Sequence, residues 1–180
     1  MAELFGFDAY SPKEIADRVE NVSVVKARLP FLSVAMLGLL AGAFISLGAM
    51  YFTLIVSDKN LGFALSRFLG GLTFSLGLVL VVVAGAELFT GNNLLVMAWV
   101  SKRISTTELL KNWLIVFIAN FIGSFGIALF VVLSGHWKIG GGAVGEAAVN
   151  IAIYKVSLPF WEAFFKGILF HSFCKRNPIF

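Results

Sequence analysis

The chain has 180 residues, 59% of them hydrophobic and only 13% charged, with a mean hydropathy of +0.91. Soluble domains carry about 25% charged residues, so composition excludes an ordinary soluble domain and places this chain in a bilayer. The net charge of +4 does not point to nucleic acid, because the basic residues form no single stripe. The lone Cys174 permits no internal disulfide.

Residues 1–30 do not read as a signal peptide, which would place positive charges ahead of a short apolar core and a small-residue cleavage site. Ser11 to Arg28 reads instead as a charged amphipathic helix. Ser11 is the expected N-cap, Pro12 suits the first helical position, and Glu14 completes a capping box. Ile15, Val19, Val22 and Lys26 share one face, which suits a cytoplasmic helix lying at the membrane interface.

Pro30 closes that helix. Phe31 to Val56 then runs without a charge, long enough to cross a hydrocarbon core of about 30 Å with some tilt. Gly38, Gly42 and Ser46 recur at every fourth position and form a face for close helix contact, within the chain in preference to between chains. After a polar loop, the second apolar segment spans residues 68–100, interrupted at 84–93 by Ala-Gly-Ala-Glu-Leu-Phe-Thr-Gly-Asn-Asn. A carboxylate, a hydroxyl and two amides therefore sit near bilayer depth, where each unpaired polar group costs several kcal/mol. Irregular backbone survives there only when buried in protein or lining a water-accessible cavity, and broken helices of this kind build substrate sites in transporters.

Ser105 or Thr106 is the expected cap of the next helix. The third span covers 113–133, with Asn120 its one strongly polar residue and Ala119, Gly123 and Gly126 available for close contact. Residues 134–150 read as a loop, and a fourth span covers 156–173, carrying Glu162 and Lys166 at i,i+4 spacing. If the chain crosses four times, ten of its fourteen Lys and Arg fall on the side of the N-terminus. The positive-inside bias then places the N-terminus in the cytoplasm.

Glu87 admits two readings: a cation or proton site, or an acceptor for the unwound turn and neighbouring helix. Thr90 could face a pathway or bond back to its own helix. Phe74, Leu78, Leu88 and Phe89 read as core or lipid-facing residues on periodicity alone. His136 reads as a solvated loop residue. There is no metal-ligand spacing, no nucleotide loop and no assembled catalytic set, so neither an enzyme nor a cofactor is expected.

Several motifs converge on one family. Gly70-Gly71-Leu72-Thr73-Phe74-Ser75-Leu76-Gly77-Leu78, Ala86-Glu87-Leu88-Phe89-Thr90-Gly91-Asn92, Lys111-Asn112-Trp113, and the stretch Lys155 to Leu169 with Glu162-Ala163 resemble the formate–nitrite transporter family. The resemblance runs from about Ser11 to Leu169. It implies an all-α, aquaporin-like membrane bundle with a broken second helix, assembled as a homo-pentamer with one pore per subunit in the cytoplasmic membrane. Small monovalent anions would be its cargo: formate, nitrite or hydrosulfide. Phe74 and Leu78 would stand at constrictions. Leu88, Phe89 and Thr90 would form the loop of the broken helix together with Glu87, Gly91 and Asn92, and Lys155 matches a lysine near the pore.

Family protomers have six membrane helices in two inverted halves, whereas about four are legible here. The second broken helix, with its pore histidine, is not legible. His171 stands where the family pattern has asparagine, and residues 170–180 do not resemble the expected continuation. That abrupt change implies a truncated or frameshifted reading frame. A non-conducting fragment, or an interaction subunit of a longer channel, is therefore the alternative expectation.

Overall fold

The computed structural model describes residues 10–168, and all the regular structure it describes is helical. Helix α1 spans Pro12–Ala27 and opens with the expected capping box. Glu14 N–H donates to Ser11 Oγ at 3.3 Å, while Ser11 N–H donates to Glu14 Oε2 at 2.7 Å. That backbone donor, followed by the Ser11 hydroxyl, holds the Glu14 carboxyl below its ordinary range. Ser11→Ala should cost about 1 kcal/mol of local helix stability. Amide hydrogen exchange in the first turn of α1 would read the loss, with no change expected in the membrane helices.

Helix α2 is Phe31–Val56, bounded as the apolar run suggests. Helix α3, Phe63–Val83, starts before residue 68. The count of apolar residues stops at Arg67, but the helix does not, because an arginine stem can lie along apolar surface with its head elsewhere. Its guanidinium sits 5.5 Å from the centre of the Phe63 ring. The break follows, with Gly85 at φ +61° reversing the chain, a left-handed value glycine adopts without a Cβ penalty. Helix α4 is the single turn Phe89–Asn92, and α5 is Leu95–Val100. Helix α6 runs Thr106–Leu133 from a second capping box built by Ser105 and Glu108.

α2, α3 and α6 are the three helices long and apolar enough to cross a membrane among the described residues. α2 is the central one, packed on α6 along one side and α3 along another. The small-residue faces make these crossings. A Cβ on Gly42 would lie 2.1 Å from the Asn120 carbonyl oxygen, and one on Gly123 2.1 Å from that of Leu39. Gly48 and Gly77 meet in the same way between α2 and α3. The expected close contact is thus made within the chain. Gly126 is not part of it, since nothing lies within 4 Å of its Cβ position.

The stretch 134–150 departs from the loop expectation. A short 3-10 segment, His136–Gly142, contains Gly140 and Gly141 at positive φ, and α7 then spans Ala143–Val156. The glycines confine the irregular backbone to its first half, and the alanine-rich stretch after them favours helix. The segment expected over 156–173 therefore begins as the last residue of α7. It breaks at 157–159 and resumes as α8, Phe160–Ile168. Glu162 and Lys166 pair on α8 at 2.6 Å, and Lys166 also donates to the Tyr154 hydroxyl at 2.9 Å, tying α8 to α7. His171 and Cys174 lie outside the described residues.

The face by which α1 packs on the protein is a different one from the face of Ile15, Val19, Val22 and Lys26 expected at the membrane interface. Ser23, Val24 and Ala27 turn inward, Val24 and Ala27 packing against the cluster of Leu95, Ala98, Ile104 and Leu109. Ile15 and Val22 remain exposed. Lys26, at the edge of the expected face, is the residue that reaches the break.

Candidate functional site

The five residues 84–88 between α3 and α4 would strand several backbone groups in an apolar setting, where unmet hydrogen bonds are costly. Helix α6 meets that need through Asn120. Its side-chain Nδ2 donates to the Gly38 carbonyl at 2.8 Å and the Glu87 carbonyl at 2.9 Å, while its Oδ1 accepts from Phe89 N–H at 2.9 Å. Glu87 N–H donates to the Leu37 carbonyl on α2 at 3.2 Å. One amide thus joins α2, the break and α6.

The Glu87 side chain is 2% exposed and ionically paired, its Oε1 lying 3.1 Å from Lys26 Nζ on α1. Asn92, fully buried, donates from Nδ2 to Glu87 Oε2 at 2.7 Å and to Asn112 Oδ1 at 2.9 Å. Asn112 in turn donates to the Lys26 carbonyl at 3.3 Å, and Trp113 Nε1 donates to the Asn92 carbonyl at 3.0 Å. Lys26, Glu87, Asn92 and Asn112 therefore form a closed ring across α1, the break and α6. This is the acceptor arrangement, one of the two Glu87 readings, and the ion pair cancels the negative charge beside the break.

Thr90 sits differently. It is exposed, and its hydroxyl engages no partner among the described residues. Thr53 and Thr73, by contrast, donate back to carbonyls of their own helices at 2.8 and 2.9–3.1 Å. Thr90, the second residue of α4, has no helical carbonyl three or four residues before it to receive such a bond. Gly91 beside it is also exposed.

Phe74 and Leu78 are 39% and 48% exposed and lie one turn apart on the same flank of α3. Next to that flank runs the buried stripe of Gly77 and Val81. Leu88 packs against the cluster of Ala41 on α2, Val81 on α3 and Ala86 in the break. Phe89 turns the other way. Its ring meets Trp113 and Phe117 edge-on, with centroids 6.2 and 5.6 Å apart. Lys155, exposed in the last turn of α7, makes no hydrogen bond or ion pair to the break among the described residues.

Sequence reasoning named Glu87 and Asn92 but not what neutralises the one or anchors the other. Lys26, Asn112 and Asn120 are the missed members. The signal for Asn120 was present: a solitary amide in an apolar helix implies a buried partner. Nothing along the chain told Lys26 from the other basic residues.

Comparison with known proteins bears on the fold and the family. Residues 13–170 match the formate/nitrite transporter family model. The formate channel FocA of Haemophilus influenzae is 38% identical over 163 residues, covering 89% of this chain and 57% of that protein. FocA of Escherichia coli K12 is 38% identical over 164 residues, covering 91% and 58%. The chain thus spans less than three-fifths of the length of either relative. Among solved structures, a pentameric formate channel with formate bound superposes with a TM-score of 0.62 at 25% identity, over 83% of this chain and 53% of that one. The chain has the formate channel fold, and it belongs to the formate/nitrite transporter family.

Proposed function

We propose that the break lines a route for small monovalent anions across the cytoplasmic membrane, with formate the foremost cargo and nitrite and hydrosulfide of the same chemical class. The supporting observation is Thr90: a hydroxyl with no protein partner among the described residues, carried on a turn whose Phe89 N–H, Glu87 carbonyl and Asn92 side chain are bonded within the protein. A free donor beside a braced backbone suits a solute that must shed water while passing. Phe74, Leu78 and Leu88 supply an apolar constriction, where desolvation of an anion is expensive unless a donor compensates. Cancellation of the Glu87 charge by Lys26 removes a repulsion that an anion would otherwise meet.

The relatives named above are formate channels, and the superposed structure is a pentamer. By the same reading this protein works as a homo-pentamer with its N-terminus in the cytoplasm, in line with the distribution of Lys and Arg. Lys155 adds positive potential near one mouth of the route.

Proteoliposome uptake of formate, nitrite and hydrosulfide tests this reading. Thr90→Val keeps the shape and removes the hydroxyl, so formate flux should fall about ten-fold, the equivalent of one hydrogen bond of ~1.4 kcal/mol. The melting midpoint in detergent should stay put. A parallel fall in both would make Thr90 structural, and no flux of any of the three anions through the unmodified chain would contradict transport by it. Lys155→Ala should shift the preference among the three anions, and an unaltered preference would leave it a surface charge.

A further inference from the structure

We propose that Lys26 is a positioning residue: through Glu87 and Asn92 it ties the N-terminal helix to the break and fixes where the Thr90 turn stands relative to α6. Lys26 is separated from Glu87 by the whole of α2 and α3, yet its ammonium is the one cation that the buried carboxylate meets among the described residues. The same ammonium reaches Asn92 Oδ1 at 3.5 Å, and the Lys26 carbonyl receives Asn112. Both ends of one residue thus close the ring that holds α4.

α1 is attached elsewhere as well: the Ser101 hydroxyl donates to Glu20, and Arg103 donates to Asn21 at 2.8 Å. Arg28–Glu108 and Arg103–Glu20 are partly exposed pairs, which contribute little in water. Ser23 Oγ donates to the Leu94 carbonyl at a long 3.4 Å, and the apolar contact is limited to Val24 and Ala27. The Lys26 ammonium is the part of α1 that engages the break by charge. α4 is a single turn whose Phe89 ring leans on Trp113 and Phe117 of α6. It holds its place through Asn120 at one end and this ring at the other. The consequence for flux rests on the transport reading; the positional role does not.

The test places spin labels at Asn93→Cys and Phe121→Cys, both exposed positions, in the Cys174→Ser chain. The labelled chain is diluted with unlabelled chain in nanodiscs. The parent should give one narrow distance distribution. Lys26→Met alone leaves a buried carboxylate unpaired and is expected to fold poorly, so the informative variant is Lys26→Met/Glu87→Gln, which removes both charges. Its melting midpoint should stay near the parent's while the distance distribution broadens about two-fold or splits, as a released element does. Lys26→Arg, which keeps the charge, should retain the narrow distribution.

A parent-like distribution in the double neutral variant would overturn the proposal. A parallel loss of stability and position, unrescued by Lys26→Arg, would make the pair purely structural and overturn it as well. Formate uptake is read on the same variants reconstituted in proteoliposomes. A parent that shows no uptake, with the broadening still present, would count against the transport reading and leave the role of Lys26 standing.

Discussion

Gly42→Ala and Gly123→Ala should each abolish recovery of folded protein from the membrane, whereas Gly126→Ala should leave it intact. All three replacements raise helix propensity by up to ~1 kcal/mol, so propensity alone expects three mild stabilisations. Packing decides otherwise. The new methyl group would stand 2.1 Å from a backbone carbonyl oxygen at residues 42 and 123, and in open space at residue 126. A side chain can swing aside, but a carbonyl within a helix cannot move without moving the helix. Overpacking of a built interior costs about 1–3 kcal/mol and sometimes more, and here the obstruction is backbone against backbone at the main crossing of α2 and α6. Size-exclusion profiles of detergent extracts read the outcome. A normal peak for both Gly42→Ala and Gly123→Ala would mean that these helices do not approach as described.

The second large effect belongs to Asn120→Leu. Leucine fills similar space but leaves the Glu87 carbonyl and the Phe89 N–H without the partners they now have, and the Gly38 carbonyl loses a bond as well. Each buried polar group stripped in this way costs about 1–3 kcal/mol. The combined loss should exceed that of Ser124→Ala, which removes a single bond at 3.1 Å to the Gly42 carbonyl. Thermal unfolding in detergent should show a large drop in midpoint for Asn120→Leu and a small one for Ser124→Ala. Flux through any folded Asn120→Leu protein should also fall, because the turn that presents Thr90 has lost its brace on α6. Equal midpoints for the two variants would remove Asn120 from its bracing role.

How much of this was legible in the chain depends on the range of the interaction. The capping box at Ser11, a cap at Ser105 or Thr106, the bounds of α2 and the break at 84–93 are local, set by residues within one or two turns. The small-residue faces of α2 and α6 could be seen too, because spacing along a helix maps directly onto one side of it. The start of α3 was missed because a charge marks the end of an apolar run and not the end of a helix. α7 was missed because the glycines ahead of it masked the helix-forming residues that follow. The ring of Lys26, Glu87, Asn92 and Asn112 could not be read at all. Ion pairing across two intervening helices leaves no periodic trace, and the position of Lys26 on α1 matters only once the helix is docked by Ser23, Val24 and Ala27. Phe89 shows the same limit, since nothing along the sequence says that its ring leans on Trp113 and Phe117.

Whether the Thr90 turn borders an aqueous route is read most directly by thiol labelling of Thr90→Cys in a Cys174→Ser chain reconstituted in bilayers. A membrane-impermeant reagent added to the aqueous phase should modify the introduced thiol, and formate should slow that reaction by competing for the same space. No modification from either aqueous side, in protein that labels fully once unfolded, would mean that the break is sealed within protein or lipid and that no anion passes there.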